Sequence, residues 1–125
     1  IAQLLQQNLH FDAVLAANDV MALGAIAALQ AVNRTALVVG VNAIPDAIDA
    51  IKRGTLLASA DFSAMSLGAI AAECAVRCAR GESVPRDIML PTAIVDSSNV
   101  SAWDLPYEER TCMEWSVALQ SGKKQ

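Results

Sequence analysis

The feature that most constrains the fold is a pattern that occurs three times along the chain. A short apolar segment stops at a polar residue, and a segment with helical spacing follows. The apolar segments cover residues 11–17, 36–41 and 56–60, and they stop at Asn18, Asn42 and Asp61. Apolar strands that alternate with helices are typical of a parallel sheet. The sequence therefore predicts an α/β chain, with a parallel sheet that carries helices on both faces.

The segments between the predicted strands carry helix signals. Residues 20–32 follow Asn18 and Asp19, either of which can cap a helix. The next helix has Pro45 in its first turn and stops at Gly54. These signals predict two helices, each placed between consecutive strands.

A longer helix is expected over residues 63–80, where Ser63 can serve as the cap. Its apolar stripe consists of Leu67, Ile70, Ala71, Cys74, Ala75 and Cys78. Residues 88–95 form a fourth apolar segment, and Pro91 within it favours an edge or a crossing strand over the centre of a sheet.

The polar residues at the strand ends predict a binding site, because ligands of open parallel sheets bind beyond the carboxyl ends of the strands. The candidate ligand contacts are Asn18, Asn42, Asp61 and Phe62. Each has an alternative explanation. Asn18 can cap the helix, Asn42 can be a turn residue with left-handed backbone, Asp61 can form a turn, and Phe62 can pack under the next helix.

The chemistry of this edge argues against catalysis. The sequence has no Gly-x-Gly-x-x-Gly turn, no phosphate-binding Gly-Lys loop and no Gly-x-Ser-x-Gly elbow. His10 precedes the first strand and is expected in a loop or at a strand edge. Cys74 and Cys78 are expected to pack in a core, not to bind a metal. No catalytic residue, metal site or cofactor is predicted. Amide, carboxylate and aromatic groups instead suit the hydroxyls and C–H faces of a sugar or polyol.

The composition sets further bounds. The chain has 125 residues, is 54% hydrophobic and carries a net charge of −4, which is typical of one globular domain and disfavours a nucleic-acid partner. No apolar run approaches the roughly 18 residues needed to span a bilayer. The chain begins at Ile1 inside a predicted helix, and we expect it to be a piece of a longer protein.

Two sequence strings carry a resemblance to a known family. Residues 17–25 read AND-V-MALGA, and residues 38–42 read VVGVN. With residues 48–54 and 56–62, these strings resemble the C-terminal half of the type I periplasmic sugar-binding proteins of ABC importers. This family includes the ribose-binding proteins and shares its fold with LacI-type regulators. The resemblance covers residues 1–98.

The resemblance implies two lobes with the sugar held between them. Residues 1–62 would form part of the C-terminal lobe, residues 63–85 a helix that packs on the N-terminal lobe, and residues 86–98 a returning strand. Residues 99–125 would be a C-terminal tail. Asn18 matches a family position whose amide contacts the sugar. Asn42 stands where many relatives have Asp, and Phe62 stands near a frequent Gln.

The resemblance also implies a function. The chain would belong to a periplasmic solute-binding component that binds a sugar or polyol, has no enzymatic activity, and is recognised by an ABC permease in the membrane. The alternative is the effector-binding domain of a LacI-type transcriptional regulator. We also expect the isolated chain either to fold helix 63–80 back onto its own sheet or to self-associate through its apolar stripe.

Overall fold

The computed structural model describes residues 1–121, and in this range it contains five α-helices and four β-strands. In chain order they are α1 Ala2–Gln6, β1 Ala13–Leu15, α2 Asp19–Ala31, β2 Leu37–Val41, α3 Pro45–Lys52, β3 Ala58–Asp61, α4 Ala64–Ala79, β4 Ala93–Asp96 and α5 Trp115–Ser121. Two short 3₁₀ helices, Val100–Trp103 and Tyr107–Glu109, precede α5.

The strands form one sheet in the order β1-β2-β3-β4. Strand β2 pairs in parallel with both β1 and β3, with Leu15 opposite Val39 and Val41 opposite Ala60. The predicted α/β class with a parallel sheet is thereby confirmed. The strands are shorter than the apolar segments that predicted them, because an apolar segment also includes residues that pack from loops. Phe11, for example, precedes β1 and packs against the core.

The chain divides into two compact units. The first contains residues 1–61 and 94–105, and the second contains residues 62–93 and the chain from 106 on. The boundary at 61/62 lies one residue before the 62/63 division that the resemblance implies, and the assignment of the two parts to different lobes stays a prediction. Residues 99–105, expected in the tail, belong to the first unit.

In the first unit, one face of the sheet is buried. Val38 is 2% exposed, Ser59 is 1% exposed, and Gly40, which lies opposite Ser59 on β2, is also buried. Helix α2 packs against β1 and β2, and α3 contributes Ile48 and Ile51 to the same core. On the opposite face, Leu15 is 83% exposed and Leu37 is 58% exposed. The first unit's core therefore lies on one side of its sheet.

The helix boundaries follow the predicted signals with one exception. Helix α3 begins at Pro45 and is followed by Gly54 at φ 72°, and Gly81 at φ 74° follows α4. Ser63 stands at the start of α4, but its side chain makes no capping hydrogen bond. Its hydroxyl instead donates to Ser66 Oγ at 2.6 Å, and its backbone is left-handed at φ 52°, so the predicted capping role of Ser63 is wrong.

The second unit is built on α4. The segment 85–90 lies beside Leu67, Ile70 and Cys74 of this helix, and the C-terminal helix α5 also contacts it. Arg77 stacks on the Trp115 ring at 4.8 Å, and the Met113 amide donates to Ser66 Oγ at 2.9 Å. Part of the tail predicted at residues 99–125 is therefore a strap on α4.

The apolar stripe of α4 is only partly buried. Ile70 is 6% exposed, but Leu67 is 51% exposed and Cys78 lies on the surface. The predicted core position of Cys78 is wrong, because the segment 85–90 reaches Cys74 and not the last turn of the helix. Among residues 1–121, no helix combines the length and hydropathy that a bilayer crossing requires.

Candidate functional site

The carboxyl ends of β1, β2 and β3 lie at one edge of the sheet, because the three strands run parallel. The hydrogen-bond ladder continues past the strands into the loops. The Ala16 amide donates to the Val39 carbonyl at 3.0 Å, and the Asn42 amide donates to the Ala60 carbonyl at 2.9 Å. This edge brings together three of the predicted contacts, namely Asn18, Asn42 and Asp61.

Asn18 is the N-cap of α2. Its backbone is extended and its Oδ1 accepts a hydrogen bond of 2.9 Å from the Met21 amide. The cap occupies the oxygen of the side-chain amide, while the Nδ2 group carries two further donors. Capping and ligand contact are therefore compatible roles, since they use different atoms of the same side chain.

Asn42 directly follows β2 and has unusual backbone geometry. Its φ is 113°, and that of Ala43 is 49°. Two successive non-glycine residues at positive φ cost on the order of 1 to 3 kcal/mol each, and such strain is concentrated at functional sites. The turn that the sequence offered as an alternative explanation for Asn42 is present. The half-buried side chain of Asn42 lies at the edge where the site was predicted.

Asp61 is the last residue of β3, and its carboxylate is held by an aromatic residue. Oδ2 of Asp61 accepts a hydrogen bond of 2.7 Å from the indole N–H of Trp103. Trp103 also packs against the core of the first unit. The carboxylate of Asp61 is thus fixed in direction at the end of its strand.

Phe62 opens the second unit, and its side chain is 37% exposed. It follows Asp61 directly in the chain. The predicted packing of Phe62 against a ligand stays a prediction, as do the ligand contacts of the other three residues.

Sequence reasoning missed a buried polar cluster beneath this edge. Asp19 is 0% exposed, and its two carboxylate oxygens accept hydrogen bonds from the Ser59 hydroxyl at 2.7 Å and the Ile44 amide at 2.9 Å. The Ser59 hydroxyl in turn accepts a hydrogen bond of 3.0 Å from the Ala43 amide. Asp19 is therefore no helix cap. Ser59 carried the available signal, because a lone polar residue in a buried strand needs a partner.

Two ionisable groups have clearly perturbed pKa values. The hydrogen bond that Lys52 donates to Asp104 at 2.7 Å raises the pKa of Lys52. The Ser98 hydroxyl donates to Asp96 at 2.6 Å, and together with the Ser98 amide it lowers the pKa of Asp96. Lys52 is an exposed ion-pair residue, and the half-buried Asp96 accepts hydrogen bonds from the turn that follows β4, so neither points to acid–base chemistry.

The structure also places the other residues that were considered for chemistry. His10 lies in the loop before β1, as predicted, and all three cysteines are free. No cluster of three or more His, Cys, Asp or Glu side chains suited to a metal ion occurs within residues 1–121. The edge of the sheet therefore offers amide and carboxylate groups that can hydrogen-bond a polar neutral molecule.

Comparison with known proteins agrees with the resemblance. The periplasmic binding protein domain family matches residues 1–83. A candidate rhizopine-binding protein of Rhizobium meliloti is 36% identical over 100 residues, which are 78% of this chain and 32% of that protein.

Two solved structures are similar over most of the chain. The ABC transporter solute-binding protein of Bacillus halodurans C-125, solved with bound myo-inositol, is 39% identical with a TM-score of 0.78, over 82% of this chain and 36% of that one. An ABC transporter solute-binding protein of Mycobacterium smegmatis was solved with bound glycerol. It is 38% identical with a TM-score of 0.77, over 90% of this chain and 39% of that one. This match covers 90% of the chain, and the remainder is shorter than residues 99–125. The match therefore includes part of the predicted tail.

The chain spans about a third of the length of these relatives. The family model covers well over half of the chain, and the solved relatives share its fold. The chain belongs to the periplasmic binding protein domain family.

Proposed function

We propose that this chain supplies one side of the ligand cleft in the solute-binding component of an ABC-type importer. The observation that supports this most directly is the placement of Asn18, Asn42 and Asp61 at one carboxyl edge of a parallel sheet. In the complete protein the ligand is a sugar or polyol that binds between two lobes. The component acts in the periplasm without catalysis and delivers its ligand to a permease in the membrane.

The ligand class follows from the hydrogen-bonding groups at this edge. Amides both donate and accept, and a carboxylate accepts from two hydroxyls, which suits a molecule with several neighbouring hydroxyl groups. None of the four candidate contacts, Asn18, Asn42, Asp61 and Phe62, carries a positive charge, which favours a neutral ligand over an anionic one. A neutral polyol such as myo-inositol, which the Bacillus halodurans relative binds, is the first compound to test.

The alternative function as a regulator's effector domain gains no support, because the relatives compared are named as binding proteins or transporter components.

Self-association of the isolated chain through the stripe of α4 stays a prediction, and exposed Leu67 is the residue to substitute.

The test is isothermal titration calorimetry on the full-length protein with myo-inositol, D-ribose and glycerol. We expect saturable binding of at least one of these compounds. Asn42→Ala should weaken it by about 1 to 3 kcal/mol, because a buried ligand hydroxyl loses its partner. Asp46→Asn changes an exposed acidic residue in the first turn of α3 and should leave affinity unchanged. Failure of all three compounds to bind a folded protein would refute the proposal.

A further inference from the structure

The buried carboxylate of Asp19 connects three segments that meet at the candidate site. It stands at the start of α2, directly after the N-cap Asn18. One oxygen accepts from Ser59 of β3, and the other accepts from the Ile44 amide in the loop after β2. A carboxylate that is fully removed from water is costly unless its hydrogen bonds are satisfied. Here the folded chain satisfies it with donors from two different segments.

Asp19 is linked to the backbone amides of the two residues that follow Asn42, namely Ala43 and Ile44. Asp19 binds the Ile44 amide directly, and through Ser59 it is linked to the Ala43 amide. Asn42 and Ala43 are the consecutive residues at positive φ. A strained turn persists only when surrounding contacts hold it, and these two amides are the contact points.

Gly40 shows how closely the sheet approaches this carboxylate. A Cβ placed on Gly40 would lie 2.2 Å from Oδ1 of Asp19 and 3.2 Å from Cβ of Ala22. The missing side chain at Gly40 therefore creates the space into which the carboxylate fits. The VVGVN string therefore provides, at Gly40, the space that the Asp19 side chain of the AND-V-MALGA string occupies.

We infer that Asp19 is a positioning residue for the sugar or polyol site. It does not contact the ligand. It holds the turn 42–44 in the strained conformation that aims the Asn42 side chain at the ligand. It contacts the Ile44 amide directly, and Ser59 links it to the Ala43 amide. This inference rests on the proposed function and names the residue that sets the affinity of the Asn42 contact.

The test is a double-mutant cycle in the full-length protein, with myo-inositol, D-ribose and glycerol as probes in calorimetry. Asp19→Asn keeps the shape and one acceptor but places an amide donor against the Ser59 hydroxyl. We expect it to weaken binding about tenfold. In the Asn42→Ala background, the same change should weaken binding by less than about twofold, because the contact that it positions is already gone.

Ser59→Ala provides a second variant that leaves the carboxylate and its bond to Ile44 in place. Like Asp19→Asn, it should weaken binding. If Asp19→Asn does not fold, the affinity of Ser59→Ala tests the positioning role by itself. Asp46→Asn is the matched control for loss of one negative charge. All titrations are made at a temperature where circular dichroism shows each variant to be fully folded.

Unchanged affinity in both Asp19→Asn and Ser59→Ala would overturn the inference, and so would an Asp19→Asn effect that is equally large with and without Asn42. If the wild-type protein binds none of the three probes, the proposed function fails, and amide hydrogen exchange decides the positioning role separately. Faster exchange of the Ala43 and Ile44 amides in Asp19→Asn, together with a shifted Asn42 side-chain amide resonance, supports it. Unchanged exchange and an unshifted resonance overturn it.

Discussion

The indole N–H of Trp103 donates a hydrogen bond of 2.7 Å to Oδ2 of Asp61, a residue 42 positions earlier in the chain. This bond joins the 3₁₀ helix Val100–Trp103 to the end of β3. Lys52 of α3 makes a second connection to the same region through Asp104. Residues 100–104 are therefore an integral part of the first unit, and one of them orients a candidate ligand contact.

Replacing Trp103 with Phe should keep most of the ring packing and remove the donor to Asp61. We expect the free energy of unfolding to fall by about 1 to 3 kcal/mol, since the lost hydrogen bond involves a carboxylate. Urea denaturation measures this change. In an Asp61→Ala background the same substitution should cost less than about 0.5 kcal/mol beyond its packing effect. Equal costs in the two backgrounds would show that the bond contributes nothing.

The two roles of Asn18 can be separated with two substitutions. Asn18→Asp keeps an oxygen that caps α2 but removes the Nδ2 donors, so stability should stay within about 0.5 kcal/mol of wild type. Asn18→Ala also loses the cap and should cost about 0.5 to 2 kcal/mol of stability. Both should weaken binding of myo-inositol, D-ribose or glycerol, whichever binds the wild-type protein. Normal affinity in Asn18→Asp would leave Asn18 only its capping role.

Phe62→Leu tests whether the ring of Phe62 packs on the ligand. The substitution keeps apolar volume and removes the flat surface, so affinity should fall while stability changes by less than about 1.5 kcal/mol. Calorimetry and thermal melting measure the two quantities. A variant that binds normally but melts much earlier would identify Phe62 as a packing residue.

Gly40→Ala places a methyl group against Oδ1 of Asp19 and should destabilise the protein by about 1 to 3 kcal/mol through overpacking. Gly24→Ala is the matched control, because a Cβ on this residue of α2 meets nothing within 4 Å. It should stabilise the helix by up to about 1 kcal/mol. Chemical denaturation of both variants checks the prediction, which is wrong if Gly40→Ala is as stable as wild type.

The pKa of Asp96 provides a prediction about pH. The Ser98 hydroxyl and amide hold this pKa below its usual value of 3.8, so ionised Asp96 stabilises the folded chain. This contribution is complete above pH 3.8 and is lost as the pH falls through the lower, folded-state pKa. Ser98→Ala should raise the pKa towards 3.8, as measured by NMR titration of the Asp96 carboxyl carbon. Ser97→Ala, at the exposed neighbouring position, should leave it unchanged.

The sequence was sufficient to predict the fold class, because its signals are local. Apolar segments of strand length, Pro45 at a helix start and Gly54 and Gly81 at helix ends each reflect the conformation of a few adjacent residues. The polar residues that follow the strands were assigned to one edge because parallel strands end together. That part of the candidate site, Asn18, Asn42 and Asp61, needed only topology.

The parts that sequence reasoning missed depend on contacts between distant residues. Nothing near Asp19 in the sequence indicates that its partner is Ser59, which lies 40 positions later. Trp103 was assigned to a tail because its partner Asp61 is equally remote. Cys78 was placed in a core because helical spacing identifies a common face but not how far a covering segment extends along it.

The bond between Asp19 and Ser59 has a consequence for the order of events in folding. A loop of 40 residues must close before the carboxylate meets the hydroxyl, and closing long loops is slow compared with forming a helix. During synthesis Asp19 emerges long before Ser59, so until β3 joins the sheet it stays hydrated and resists burial. Arrival of β3 then dehydrates the charge and locks the turn after β2 in a single step. We therefore expect the turn after β2, and with it the candidate binding edge, to become fixed only when β3 has joined the sheet.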